Sequence, residues 1–238
     1  MAGNIRFFSA GPLSVLAIVL LVILVLLLIP LFILGIIGAA FTRLGLSWVA
    51  ALALVLLMLA GSFVNIPFYR FRRDMVRAAP RGPDGNLLAA RFAAQPVWET
   101  VLSVNLGGGI IPMCIAAFLV YHAVMVTGIT VLLLVSLCAA LVLVITFVST
   151  HEIAGIGIRV PFIIPALTAL LTGVLIAGGM GLTSAVTALA GGTLGTIAGG
   201  NLAHLCHVRD LEVPEISIGG SGTFGAVFLC CVLPALIA

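Results

Sequence analysis

Charge is what this sequence has least of. Lysine is absent, so all ten basic residues are arginine, and charged residues make up only 7% of the 238-residue chain. A soluble globular domain normally carries about a quarter charged residues, so an ordinary water-soluble fold is excluded. The lack of lysine itself has no structural account. Catalytic signatures are missing too. There is no Gly-x-Ser-x-Gly elbow, no His-Glu-x-x-His pair and no phosphate loop with its Lys, which removes the motif-based routes to a hydrolase, a metalloprotease or a nucleotidase. Cysteine is scarce and odd in number. The five are Cys114, Cys138, Cys206, Cys230 and Cys231, and four lie in apolar stretches where a thiol packs as a small hydrophobe; an odd count with an adjacent pair does not make a disulfide framework.

What the chain does have is apolar length. Hydrophobic residues reach 63% and the mean hydropathy is +1.40. Runs of 18 or more apolar residues read as membrane spans, and the sequence predicts an all-α, polytopic transmembrane helix bundle of about seven spans, near 13–40, 46–66, 101–122, 126–148, 156–177, 182–202 and 216–237. The whole chain, 1–238, is expected to form one integral membrane domain. The first run is far longer than a cleavable signal's apolar region and is expected to stay as an anchor, with Pro30 a candidate kink. The longest polar stretch, 68–100, holds Arg70, Arg72, Arg73, Arg77, Arg81 and Arg91 and is the expected cytoplasmic loop. Placing it inside also puts Arg6, Arg159 and Arg209 inside and leaves only Arg43 outside, nine against one. The positive-inside rule then predicts an inner-membrane protein with a cytoplasmic N-terminus and an outer C-terminus. The basic loop suits anionic lipid headgroups rather than nucleic acid.

The spans differ in texture. The first, second and fourth are rich in Leu, Val and Ile, whereas the third, sixth and seventh carry Gly107-Gly108-Gly109, Gly191 through Gly200, and Gly219-Gly220-Ser221-Gly222. Small residues at four-residue spacing, as at Gly191, Gly195 and Gly199, let helices pack closely in lipid. The alternative is that Gly107–Pro112 and Gly219–Gly225 are broken or re-entrant helices, which in transporters mark binding sites. The candidate ligand residues are then Asn105, Gly107, Gly108, Asn201, Gly219, Gly220, Ser221 and Thr223. Each Gly-Gly pair weakens a helix by about 1 kcal/mol per residue against Ala, so a common contact between the two interrupted segments is expected to compensate. A cytoplasmic-side polar set, His151, Glu152, His204, Cys206, His207, Asp210, Glu212 and Glu215, includes three candidate metal ligands: His204, Cys206 and His207. Their spacing is poor for a known zinc motif, and polar residues in a short exposed loop are the plainer explanation. No cofactor is expected.

Several motifs recur in one order: Gly61-Ser62-Phe63-Val64-Asn65-Ile66-Pro67, Val104-Asn105-Leu106-Gly107-Gly108 with Pro112, Gly155-Ile156-Gly157-Ile158 with Pro161 and Pro165, Ala190 to Leu202, and Ser217 to Phe228. On these the chain resembles the prokaryotic membrane family catalogued as domain of unknown function 1614. The resemblance implies a multi-pass membrane fold and no activity. Members of that family carry Asp where this chain has Asn201 and Gly225, so an intramembrane two-carboxylate mechanism, which needs two groups sharing a proton, does not carry over. The expected function is a non-catalytic subunit or scaffold that packs against another membrane protein or a second copy within the bilayer. A small-solute or ion permease using the Gly-rich segments, and a degenerate relative of an intramembrane aspartyl enzyme, are the alternatives.

Overall fold

The computed structural model describes residues 12–74, 97–153, 156–205 and 213–238. The chain is mainly helical. In order it forms α1 (Pro12–Arg43), α2 (Trp48–Gly61), β1 (Asn65–Asp74), β2 (Val97–Asn105), a π-helical turn (Leu106–Ile110) leading into α3 (Ile111–Thr127), α4 (Thr130–Ser149), β3 (His151–Ile153), β4 (Gly157–Arg159), α5 (Ile163–Ala177), α6 (Leu182–Ile197) with a second π-helical turn (Ala198–Leu202), β5 (Glu215–Ile218) and α7 (Phe224–Ala235). Four of the helical stretches among the described residues are long and apolar enough to cross a membrane: α1, α3 with its π-turn, α4, and α6 with its π-turn. The chain therefore fits a membrane protein. Its outward-facing Leu133, Leu171 and Leu175 are 68%, 61% and 78% exposed, as lipid-facing side chains would be.

Helix α6 is the central stave. From Ser184 to Gly192 every residue is buried, and the small residues explain why so many neighbours fit around it. A methyl group added at Gly191 would come within 2.7 Å of Cys138 Cβ on α4; at Gly195 it would lie 2.6 Å from the Ala139 carbonyl oxygen; at Gly192 it would lie 2.6 Å from Ala169 Cβ on α5. Real Cβ contacts are longer than these, so the helix axes sit at glycine spacing. Behind Gly192, Cys230 of α7 is fully buried and its Sγ lies 3.3 Å from the Thr196 hydroxyl.

Helix α1 behaves differently. At 32 residues it is about 48 Å long, well beyond the ~30 Å hydrocarbon core. It continues through Pro30 without interruption. Among its described side chains, those of the C-terminal third pack, through Ile37, Ala40 and Phe41, and those from Val19 to Phe32 are exposed.

Strands begin or end spans that the apolar runs predict as helix throughout. The second helix stops at Gly61, and α3 starts its π-turn only at Leu106. Helix α5 starts at Ile163 after β4, and α7 starts at Phe224 after β5 and a turn. The polar stretch 68–100, expected to be a loop, is strand at both of its described ends, which belong to β1 and β2. These pair antiparallel from Asn65 opposite Asn105 to Asp74 opposite Val97, with a register shift between Pro67 and Tyr69. β5 adds parallel to the other side of β2, with Val101 opposite Glu215 and Val104 opposite Ile218. β3 and β4 form a separate two-stranded hairpin. β-Branched residues in β2 (Thr100, Val101, Val104) suit a pleated surface, and the hydroxyl of Thr100 donates to the Val213 carbonyl oxygen at 2.8 Å, holding the approach to β5.

Because α6 packs at glycine distance, Gly195→Leu should lower the melting temperature in detergent sharply. Leu133→Ala, on the exposed face of α4, should change it little; equal effects would mean that α6 is not closely surrounded.

Candidate functional site

The Gly-rich segments meet where the three-stranded sheet joins the helices. The Leu106–Ile110 π-turn is wound rather than unwound, and it runs directly into α3, with Pro112 just after the change of winding. The segment 219–223 is a turn between β5 and α7, with Gly219 at φ +73° and Gly222 at φ +94°, conformations that favour glycine. A methyl group at Gly108 would overlap the Gly219 carbonyl, and one at Gly219 would overlap the Gly108 carbonyl. The two backbones are thus in direct contact. Gly107 does not join them. It lies against the end of α2, where a methyl group would overlap Met58 O and the Ser62 nitrogen. Gly220 faces the Ser217 hydroxyl instead.

Each glycine of the touching pair has its N–H satisfied by an asparagine. Gly108 N–H donates to Asn105 Oδ1 at 2.8 Å, and Gly219 N–H donates to Asn201 Oδ1 at 3.2 Å. Both asparagines are 1% exposed, and the amide nitrogen of each donates in turn. Asn105 Nδ2 donates to the Ser62 carbonyl at 2.7 Å and to Asn65 Oδ1 at 2.9 Å. Asn201 Nδ2 donates to the Thr223 hydroxyl at 3.1 Å. Asn65 Oδ1 takes a second proton from Ser217 Oγ at 2.7 Å, across 152 residues of sequence. The orientation of every amide follows, because a backbone N–H can only donate: it fixes Asn105 Oδ1 as acceptor, Asn105 Nδ2 as donor, Asn65 Oδ1 as acceptor and the Ser217 hydroxyl as donor.

Beside this network lies a small cavity of about 80 Å³ lined by Asn65, Gly157, Asn201, Glu215, Ser217 and Ser221, with Ile156, Ile158 and Ile216 supplying apolar wall. It occupies the gap between β4 and β5. Of the candidate ligand residues, Asn201 and Ser221 reach it. Asn105, Gly107, Gly108, Gly219, Gly220 and Thr223 are not among its lining residues and serve the backbone contact or its neighbours. Glu215 holds its place through Ser103, a fully buried serine whose hydroxyl donates to Glu215 Oε1 at 2.6 Å. Asn65, Ser103, Glu215 and Ser217 were not among the candidates. Asn65 and Ser217 did lie in the motif segments, but nothing in a linear reading brings them together.

The candidate metal set is only partly placed. His204 is buried, with its ring 4.7 Å from that of Phe147. Its Nδ1 lies 2.9 Å from the Gly199 carbonyl oxygen, so Nδ1 carries the proton and donates. Cys206 and His207 lie outside the described residues.

With this geometry in view, the sequence matches the model of a family described as Protein of unknown function (DUF1614) over residues 59–237. The chain belongs to that family. No curated protein and no solved structure matches it. The DUF1614 match begins in the last turn of α2 and takes in the whole glycine contact and its asparagines, while leaving out α1.

In this DUF1614 chain, removing Asn201 would strand the Gly219 N–H in a buried setting. An unsatisfied buried donor costs about 1–3 kcal/mol. Asn201→Leu should therefore lower detergent stability by that order. Gly108→Leu and Gly220→Leu should each lower the melting temperature far more than Leu133→Ala, whereas Gly35→Ala, where an added methyl meets nothing within 4 Å, should not lower it.

Proposed function

We propose that the chain is a non-catalytic, multi-pass protein of the inner membrane that acts as a packing subunit or scaffold in a membrane complex. The observation that carries this reading is the commitment of the buried amides. Asn105 and Asn201, the residues best suited to hold a solute at depth, are bonded to the backbone of the Gly108–Gly219 contact and to its neighbours. They hold the sheet to the bundle. The long exposed apolar stretch of α1 supports the same reading, since it presents lipid-facing surface that another membrane helix can cover. Chemical crosslinking in native membranes followed by mild-detergent purification should recover the chain in a defined complex with another membrane protein or with itself. Recovery as a lone 24.5 kDa chain under those conditions would contradict the proposal.

The topology proposed is seven crossings, with the N-terminus in the cytoplasm and the C-terminus outside. The nine-to-one distribution of arginine supports it. The shorter helices α2, α5 and α7, at 14, 15 and 12 residues, fall short of the ~20 residues a spanning helix needs, and the adjoining strands and turns would complete their passage within protein, as irregular backbone at membrane depth requires. Reporter fusions after Arg91 and at Ala238 should report opposite sides. Both on one side would remove the seven-crossing arrangement.

The permease alternative draws its support from the cavity between β4 and β5. The aspartyl-enzyme alternative draws none from the amides, because Asn201 is an amide bonded to Gly219 and Thr223, and the added Cβ of an Asp at Gly225 would approach Phe162 Cβ at 3.4 Å. Cleavage of a model transmembrane substrate that is lost in Asn201→Ala would overturn the non-catalytic reading.

A further inference from the structure

Arg43 stands apart from the other charged groups of the chain. It closes α1 at the end of the bundle away from the sheet. Helix α2 starts near it, where a methyl group added at Gly38 would meet the Trp48 indole at 3.4 Å. From there α2 runs 14 residues, about 21 Å, to Gly61, which lies against Gly107. The seven acidic residues all come at Asp74 or later, and each described one, Asp74, Glu99, Glu152 and Glu215, belongs to a strand. Among the described residues Arg43 enters no ion pair.

The surface below this guanidinium is a groove. A hollow of about 210 Å³ is bounded by Arg43 and by Leu236, just after α7. It shares Ile36 and Ala39 with a longer, open hollow of about 610 Å³ that reaches down α1 past Gly35 and Phe32 to Leu28. This is the face of α1 turned away from Ile37 and Phe41, which pack on the bundle. Gly35 deepens it, since an added methyl there meets nothing within 4 Å. Leu28 to Ala39 is eleven residues of helix, about 16 Å, which matches one leaflet's half of the ~30 Å hydrocarbon core. Arg43 lies one turn further on. Trp48, 52% exposed, marks the same end of the groove, and such amphipathic rings favour the headgroup zone.

We propose that this face of α1 binds one anionic phospholipid, with an acyl chain along Leu28–Ala39 and the phosphate on Arg43. In lipid the apolar groove gives no selectivity, because surrounding tails are as apolar as leucine. Selectivity comes from the guanidinium, whose fork matches two phosphate oxygens and has no carboxylate of its own chain to satisfy it. A helix from another protein would cover the groove but bring no anion to Arg43. The site goes beyond the scaffold reading and does not depend on it, since Leu26, Ile29 and Ile33 are exposed on another face of the helix and remain for a partner.

The test uses the purified full-length chain in detergent. Its melting temperature is followed as phosphatidylglycerol or phosphatidylcholine with the same acyl chains is titrated in, with soluble glycerol phosphate as a separate series. A saturable rise with phosphatidylglycerol is expected, half-complete at a concentration about tenfold below that for phosphatidylcholine, the scale of one charge-assisted contact; glycerol phosphate should have no effect. Arg43→Gln should abolish the difference between the two lipids. Arg43→Lys, which keeps the charge, should retain most of it, and so separates loss of charge from a disturbed helix end. Gly35→Leu should fill the groove and weaken the response to both lipids, while its melting temperature without lipid matches the parent. Equal responses to the two lipids, or a difference that survives in Arg43→Gln, would overturn the headgroup assignment. An undiminished response in Gly35→Leu would overturn the seat of the chain, and a rise with glycerol phosphate alone would overturn the lipid. A crosslink formed in membranes by Gly35→Cys to a second copy or to another protein, and absent from the parent, would show that a helix covers this face; it would overturn the lipid site and leave the scaffold reading standing.

Discussion

Gly108 and Gly219 touch backbone to backbone, and most of what is distinctive about this chain depends on that contact. It joins the start of α3 to the turn before α7, so a single point fixes where the central strand β2 and the edge strand β5 hand over to helices. A side chain on either residue would overlap the other's carbonyl. Closeness of this kind buries two peptide N–H groups away from water, and buried donors are tolerated only when paired. Asn105 and Asn201 supply the acceptors from opposite sides, one local and one from the far end of α6. The second π-turn, Ala198–Leu202, carries Asn201, and the first begins directly after Asn105. Both are interruptions of ordinary α-helical winding, which recur at functional positions.

From that point order spreads outward through hydrogen bonds whose direction is fixed. Asn105 bonds the end of α2 through Ser62 and passes its second proton to Asn65 in β1; Asn65 in turn receives one from Ser217 in β5. Three strands and two helix ends are tied together by the side chains of Asn65, Asn105 and Ser217. In a low-dielectric setting such networks are worth most when every member is satisfied. Hydrophobic burial cannot play this role for a chain in lipid, because the surrounding tails are as apolar as leucine. Packing at glycine distance and a closed polar network are what remain to specify one arrangement.

The sequence carried part of this openly. Seven apolar runs and their arginine asymmetry are visible without any structure, and the energetic cost of paired glycines in Gly107-Gly108 and Gly219-Gly220 pointed to close backbone approach between the two segments. Gly108 and Gly219 meet in that way, while Gly107 turned out to lie against α2. The strands were hidden for a physical reason. β2 ends in Val101-Leu102-Ser103-Val104, which reads as the start of a membrane helix when the next twenty residues are apolar, and β5 is only four residues long. A short apolar run cannot be assigned to helix or strand by periodicity alone. Glu215 and Ser103 were hidden by the same misreading. Glu215 looks like a polar loop residue and Ser103 like a minor feature of a span, and only the parallel pairing of β2 with β5 brings them within 2.6 Å.

Hydrogen exchange at individual amides tests the central claim most directly, because it reads the two glycine N–H groups themselves. In detergent-solubilised protein the Gly108 and Gly219 amides should exchange as slowly as those of central helix α6, and Asn201→Ala should release the Gly219 amide first and that of Gly108 with it. Rapid exchange of Gly219 in the unmodified chain, at the rate of the exposed Ser221 turn, would contradict the account.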